Sequence, residues 1–349
     1  MLPDDAALFA RLIAKTQEYL DIPCVIGHER TFLQHLERDF SALGASCTAI
    51  DGGLVIRRGD GPVLITSCAR SGLVDEGDGF QRYCTDRGRL DNELPESKLN
   101  SESLSALFKG SPVVAYDTGN GGRLAYADVK SAQCDGADIV SFMLTDMIAL
   151  PADTPIAFTQ ALDRSRAGYV SGLIENVATL ACLRLAFEFG LEATLIVTGG
   201  DDLDHAIPNL IAYGEAAGYP SGQPMISIAV SRFYDAAPAL AGAVILRRRD
   251  HYASFDARTV ADLEAAASKV AVPMIFKDSF IERENDARQA RGLPPRKMGH
   301  TQIGALIAQT RGHYTGASLQ LPVFMNDRRT QSTSARALLA LTKSLLAMS

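Results

Sequence analysis

Near the amino end, Leu8, Phe9, Leu12, Ile13 and Leu20 fall on one helical face, Asp4 and Asp5 stand in front as capping carboxylates, and Pro23 marks the end. A second helix is expected from about 29 to 43. The periodicity then shortens. Residues 54–57 and 63–66 form two apolar runs separated by Gly59, Asp60 and Gly61, as strands joined by a short turn are. The second run is apolar throughout and suits an interior strand.

Between about 72 and 158 the texture changes to short β-prone pieces broken by Gly, Pro and Asp. This stretch reads as an inserted small β domain. Its run Asp117, Thr118, Gly119, Asn120, Gly121, Gly122 reads as a hairpin turn; no Lys-Ser/Thr follows, as a phosphate-cradling loop would require. Beyond it, 167–189 is expected as one long helix and 193–197 as a buried strand, and the remainder alternates helices with apolar strands. That is α/β organisation with an insertion.

The chain has 349 residues, of which 47% are hydrophobic, enough for a large core in one or two domains. A net charge of -7 and a pI near 5.4 argue against nucleic-acid or anionic-membrane partners, which favour clustered Lys and Arg. Arg247, Arg248 and Arg249 are too short a run to change that and read as a solvated strand end or turn. No segment approaches the ~18 apolar residues of a membrane span. The start, Met-Leu-Pro-Asp-Asp, lacks a basic region and an apolar signal core, so a cytoplasmic location is expected. Cysteines at 24, 47, 68, 84, 134 and 182 form no Cys-x-x-Cys pair and read as free thiols.

Several local patterns occur in an order that resembles the tetrahedral, or glutamyl, aminopeptidases, co-catalytic metallopeptidases that include cellulase-M-like members. Ile22, Pro23, Cys24, Val25, Ile26, Gly27, His28, Glu29 is similar to the opening Ile-Pro-Ser-x-x-Gly-x-Glu of that family. Asp51, Gly52, Gly53, Leu54, Val55, Ile56 resembles Asp-x-x-Gly-Asn-Val-Ile, and 150–158 resembles the Pro-Gly-Asp-x-Val-x-Phe that ends the inserted domain. Ala161, Leu162, Asp163, Arg164, Ser165, Arg166, Ala167, Gly168 looks like Ala-Leu-Asp-Asn-Arg-x-Gly. Gly299, His300, Thr301, Gln302, Ile303, Gly304 looks like Gly-Gly-Thr-Asp-x-Gly, and Leu319, Gln320, Leu321, Pro322 like the Ile-Ser-Ile-Pro strand after it. The resemblance implies a three-layer α/β/α aminopeptidase-like domain with a mixed sheet, made of 1–70 plus 159–349 and interrupted by a small β-barrel domain at 71–158. It also implies assembly into homo-oligomers.

Such a peptidase needs two divalent ions held by His and carboxylates, with a Glu base to deprotonate the attacking water. By resemblance, the first ligand, a His, falls on Cys68, and its orienting Asp on Arg70, whose guanidinium would repel a cation. The bridging carboxylate is kept as Asp163. The Glu-Glu pair of base and ligand falls on Gly199 and Gly200, the next carboxylate on Ala229 and the last His near Asp327. The expectation is therefore a divergent member without its dinuclear site, catalytically inactive, with a binding or assembly role and no cofactor. The alternative is a zinc-dependent hydrolase of small peptides. There a two-residue slip makes Asp201 the base, with Cys68, Asp163, Asp202 and Asp327 as ligands of zinc or another divalent ion. The competing reading of Asp201, Asp202 and Asp204 is as caps of the following helix.

His251, His300 and His313 lie outside any paired ligand spacing and read as exposed or locally bonded. Cys68 reads as a buried thiol in the absence of a neighbouring base, and Ser165 lacks a Gly-x-Ser-x-Gly context. A metal-independent enzyme finds no nucleophile and base in the sequence. If the resemblance holds, Cys68, Asp163, Asp201, Asp202 and Asp327 converge in one cleft that could take a peptide or small molecule, and Arg70 points towards it.

Overall fold

Asp4 accepts the amide of Ala7 at 2.8 Å and starts α1 (Asp5–Asp21), whose Leu8, Leu12, Ile13 and Leu20 are buried. The computed structural model describes residues 4–70, 72–75, 82–86, 101–135, 139–145, 150–159, 161–164, 168–200, 205–233, 235–325 and 330–348. After α1 come α2 (Arg30–Ser41), β1 (Ser46–Ile50), β2 (Gly53–Arg58) and β3 (Val63–Ser67). A stretch of β4 (Gly72–Asp75), β5 (Arg82–Asp86), α3 (Ser101–Phe108), β6 (Pro112–Tyr116), β7 (Arg123–Asp135), β8 (Ile139–Leu144) and β9 (Pro155–Phe158) follows. The chain continues through β10 (Tyr169–Gly172), α4 (Val177–Glu188), β11 (Ala193–Thr198), α5 (Ile207–Ala216), β12 (Gln223–Phe233), α6 (Ala237–Leu240) and β13 (Val244–Leu246). It ends with α7 (Ala257–Lys269), β14 (Met274–Phe276), α8 (Lys277–Gln289), α9 (Gln302–Gln309), β15 (Tyr314–Met325), β16 (Gln331–Ser334) and α10 (Ala335–Leu346).

The large sheet is mixed, in the order β1-β2-β11-β3-β12-β15-β13-β14, with β16 on the far end of β15 and β10 on β16. Neighbours from β11 to β15 run parallel, so these four strands end on the same side. Their sequences show why they are central. All six residues of β11 are buried, as a strand covered on both faces requires. Helix α4 is buried on nearly every side because it packs against both α1 and α10.

The other sheet joins β4-β5-β8-β7-β6-β9 antiparallel and in cyclic order around Leu73, Val113, Val140, Phe142 and Ile156. The turn from Asp117 to Gly122 is a hairpin closed by the Asp117 amide on the Gly122 carbonyl at 2.8 Å. This sheet meets the large one at the loop between α1 and α2, where Val25, Val114, Tyr116 and Ala157 form a small core and Tyr116 Oη donates to the His28 carbonyl at 3.1 Å.

Two local expectations fail. Residues 169–172 do not belong to a long helix but pair antiparallel with β16, and α4 starts only after Asn176, whose φ of 62° interrupts the backbone. Small and β-branched residues there satisfy a strand neighbour that sequence periodicity cannot reveal. Arg247 is no solvated turn residue. It is buried, donating from Nε to Gln320 Oε1 at 3.0 Å and from Nη1 to the Met298 carbonyl at 2.9 Å. Cys24, Cys47, Cys68 and Cys182 carry free thiols, and His251, His300 and His313 are exposed. Among the described residues, no helix is long and apolar enough to cross a membrane.

Asp39 ties α1, α2 and α4 together, accepting from Tyr19 Oη at 2.6 Å, Arg184 Nε at 2.9 Å and Lys15 Nζ at 3.1 Å. Burial works to raise its carboxyl, but the Tyr19 hydrogen bond and the Arg184 and Lys15 charges outweigh it and hold it below the ordinary value. A depressed native value means stability that is present above the unfolded carboxyl's ~3.9 and is lost as pH falls through the native one. Asp39→Asn is expected to lower stability at pH 7 and to remove that acid-side slope, read by urea unfolding between pH 2 and 5 (about the range where carboxyls titrate).

Candidate functional site

Open α/β sheets place their sites at the carboxyl ends of parallel strands, and here those ends belong to β11, β3, β12 and β15. Cys68 directly follows β3, and its amide donates to the Thr198 carbonyl at 2.8 Å. That bond sets Cys68 beside Gly199 and Gly200, which follow β11. What occupies the space around the two glycines is Glu29, the residue before α2.

Glu29 is buried, and its Oε1 accepts the Gly200 amide at 2.6 Å and the Gly27 amide at 3.0 Å. A Cβ on Gly199 would lie 2.9 Å from Glu29 Cδ and 3.1 Å from both Glu29 Oε2 and the Gly52 carbonyl. Gly200 has φ +75°, a conformation that side chains resist, and a Cβ there would meet His205 Cβ at 2.7 Å. A side chain at Gly199 would have to displace the Glu29 carboxylate, and one at Gly200 would be strained by its φ and meet His205.

The remaining strand ends carry amides and cations. Ala229 on β12 lies in register with Gln320 on β15, and Gln320 holds Arg247. Gln302 Nε2 donates to Thr198 Oγ1 at 2.8 Å. Glu175 Oε2 accepts from Arg232 Nη2 at 2.5 Å and from Gln331 Nε2 at 2.7 Å. Burial works to raise the Glu175 carboxyl, but the charge and hydrogen bond of Arg232 hold it below the ordinary range. Lys277 Nζ, nearly buried, donates to the Arg232 carbonyl at 2.6 Å and stands 3.3 Å from the centre of the Phe233 ring. Burial first, and the charge of Arg247 second, bring its amine down to about 7. Its place as the first residue of α8 works in the same direction, since the positive end of a helix dipole disfavours a cation.

Cys68 and Asp163 fare differently. Cys68 is buried, and the Cys24 thiol lies against its carbonyl at 3.5 Å. The hydrogen bond to Cys24 and burial push the Cys68 thiol well up; the Cys24 thiol, raised by burial, is brought lower by Cys68 and the Arg70 charge. Asp163 is exposed, and its main chain bridges Ser171, with N–O distances of 2.9 and 3.0 Å. Asp201, Asp202, Asp204 and Asp327 lie outside the described residues. Arg70 departs from expectation: its guanidinium turns to the carboxyl end of α1, donating to the Ile22 carbonyl and, at 3.5 Å, to that of Leu20, and stacks 5.0 Å from the Phe32 ring. Unpaired helix carbonyls attract a cation there.

Among the described residues, the one group of three metal-competent donors within 4.8 Å of one another is Glu18, His35 and Asp39, on α1 and α2. Lys15 and Arg184 already supply the positive charge those carboxylates need. Among the described residues the strand ends offer no comparable group of three donors. Sequence reasoning missed Glu29 as the buried occupant, and missed the Glu175–Arg232 pair and the buried Arg247 and Lys277 at the other strand ends. Only the Gly-x-Glu of the opening motif marked any of them.

Gly199→Ala forces the new methyl against Glu29 and Gly52 and is expected to cost ~1–3 kcal/mol of stability, read by urea unfolding. For Lys277 the sign is opposite to that of an ordinary ion pair. Between its native value of about 7 and the unfolded amine's ~10.4 the unfolded chain holds more protons, so stability rises with pH in that window. Lys277→Met is expected to abolish that rise, measured by unfolding midpoints from pH 6.5 to 10 (about the same window).

No protein-family profile matches the sequence, and no curated protein does either. Solved structures do match over nearly the whole chain. An aminopeptidase from the archaeon Desulfurococcus kamchatkensis superposes with a TM-score of 0.70 at 10% identity, covering 97% of this chain and 94% of its own. A TET aminopeptidase from a marine sediment archaeon of the Thaumarchaeota gives 0.67 at 10% identity, with 96% of each chain covered. A Pyrococcus horikoshii TET peptidase, which can assemble into a tetrahedron or a large octahedral shell, gives 0.63 at 15% identity, covering 96% of this chain and 98% of its own. The mixed α/β architecture described above is thus the fold of the TET aminopeptidases, carried by a sequence far diverged from theirs.

Proposed function

We propose that this protein is a metalloaminopeptidase-like chain in which fixed hydrogen bonds have replaced the dinuclear metal site, leaving it catalytically inactive with a binding or assembly role. The observation that carries this reading is the Glu29 carboxylate against Gly199 and Gly200, where neither a general base nor a carboxylate ligand can be accommodated. Arg247 supports it, because a buried guanidinium held by Gln320 of β15 opposes a divalent ion near the strand ends. On this reading 71–158 is an inserted β-barrel domain and 1–70 plus 159–349 the peptidase-like domain. Homo-oligomer formation follows by analogy with the shells of the TET neighbours.

The deciding experiment is elemental analysis of protein purified without chelator or His-tag, beside Asp163→Ala, with an aminoacyl-chromophore assay in zinc, cobalt and manganese. The expected outcome is no metal above background and no hydrolysis above buffer. Zinc bound in stoichiometric amount, lost in Asp163→Ala together with an activity, would instead establish the rebuilt hydrolase site with Cys68, Asp202 and Asp327 as ligands and Asp201 as base.

A further inference from the structure

The loop after α1 and the segment after β3 run side by side. Ile26 donates its amide to the Arg70 carbonyl at 3.0 Å, and two residues earlier in each segment Cys24 Sγ lies 3.5 Å from the Cys68 carbonyl. This register sets the Cys24 thiol against the main chain of Cys68, both residues with almost no exposure. Beside them Arg70 keeps a buried Nε with no hydrogen-bond acceptor, although its terminal nitrogens are used on α1 carbonyls. A buried guanidinium donor without a partner is costly, and the charge of Arg70 acts to lower both thiols. Cys47 and Cys182 differ: Cys47 donates to the Glu37 carbonyl and Cys182 to that of Leu338, each away from any second thiol among the described residues.

From this contact we infer that Cys24 and Cys68 are a reversible dithiol/disulfide pair, an oxidative modification site whose co-reactant is a small hydroperoxide. Cys24 sulfur attacks the hydroperoxide oxygen, the O–O bond breaks, and the departing oxygen takes the thiol proton to leave as an alcohol or water. Cys68 sulfur then displaces the hydroxyl of the Cys24 sulfenic acid, forming the S–S bond and releasing water with the Cys68 proton. Two thiols lose two electrons and two protons in all, and the hydroperoxide becomes alcohol and water. On this inference the loop's outer side is the route for the reagent, since Gly27, three residues from Cys24, is exposed. The product fastens the loop that carries Glu29 to the end of β3. Neither metal nor substrate takes part, so the pair stands or falls separately from the function proposed above.

The test is to treat the reduced, native full-length protein with stoichiometric hydrogen peroxide, alkylate it in denaturant and map its cysteine peptides by mass spectrometry. A cross-linked Cys24–Cys68 peptide that dithiothreitol reverses is expected, together with a higher melting temperature for the oxidised form. Cys24→Ser should lose both the link and the shift, and Cys47→Ser should retain both. Recovery of Cys24 and Cys68 as separately alkylated thiols, or as separate sulfinic acids, after other cysteines have been oxidised overturns the inference. The wild-type map decides the matter even if a variant fails to fold.

Discussion

The Glu29 carboxylate is the interaction on which the sheet's functional end depends. It stands at the start of α2 without capping that helix, and gives its oxygen to two amides, one in its own loop and one after β11. Hydrogen bonds to a buried carboxylate exceed ordinary amide pairs in strength, and removing the acceptor would leave two donors unpaired. Because Gly199 and Gly200 lack side chains, the carboxylate can approach their backbone. Because the carboxylate is there, no side chain can return to Gly199 without displacing it.

The same loop joins the two sheets. Val25 packs with Val114, Tyr116 and Ala157 of the cyclic sheet, the His28 carbonyl accepts from Tyr116, and Cys24 lies on the segment that leaves β3. Eight residues from Ile22 to Glu29 thus fix the sheet packing and the strand-end chemistry together. A change in one propagates to the other through a single short piece of backbone.

Beyond that anchor, the strand ends carry a separate set of charged groups. Glu175, half-buried, is paired by Arg232 and supported by Gln331, and Arg247 and Lys277 stand without an ion-pair carboxylate among the described residues. Their charges are held by carbonyls, an amide and an aromatic face.

The sequence by itself determined the architecture, because helix and strand periods, the Asp4 cap, the turn at Asp117–Gly122 and six ordered motifs are local signals. It also determined which residue types stand at the motif positions, since a residue type is read directly. Tertiary structure alone decided what those positions contact. Nothing in the spacing of Glu29 and Gly200 indicates that they meet 171 positions apart, or that Arg70 turns to a helix end. Neither the burial of Arg247 nor the strand at 169–172 is visible locally, because each depends on a neighbour supplied by β15 or β16. Composition fixes the inventory of charges, but only the packing of distant segments fixes which are paired and which side chains there is room for.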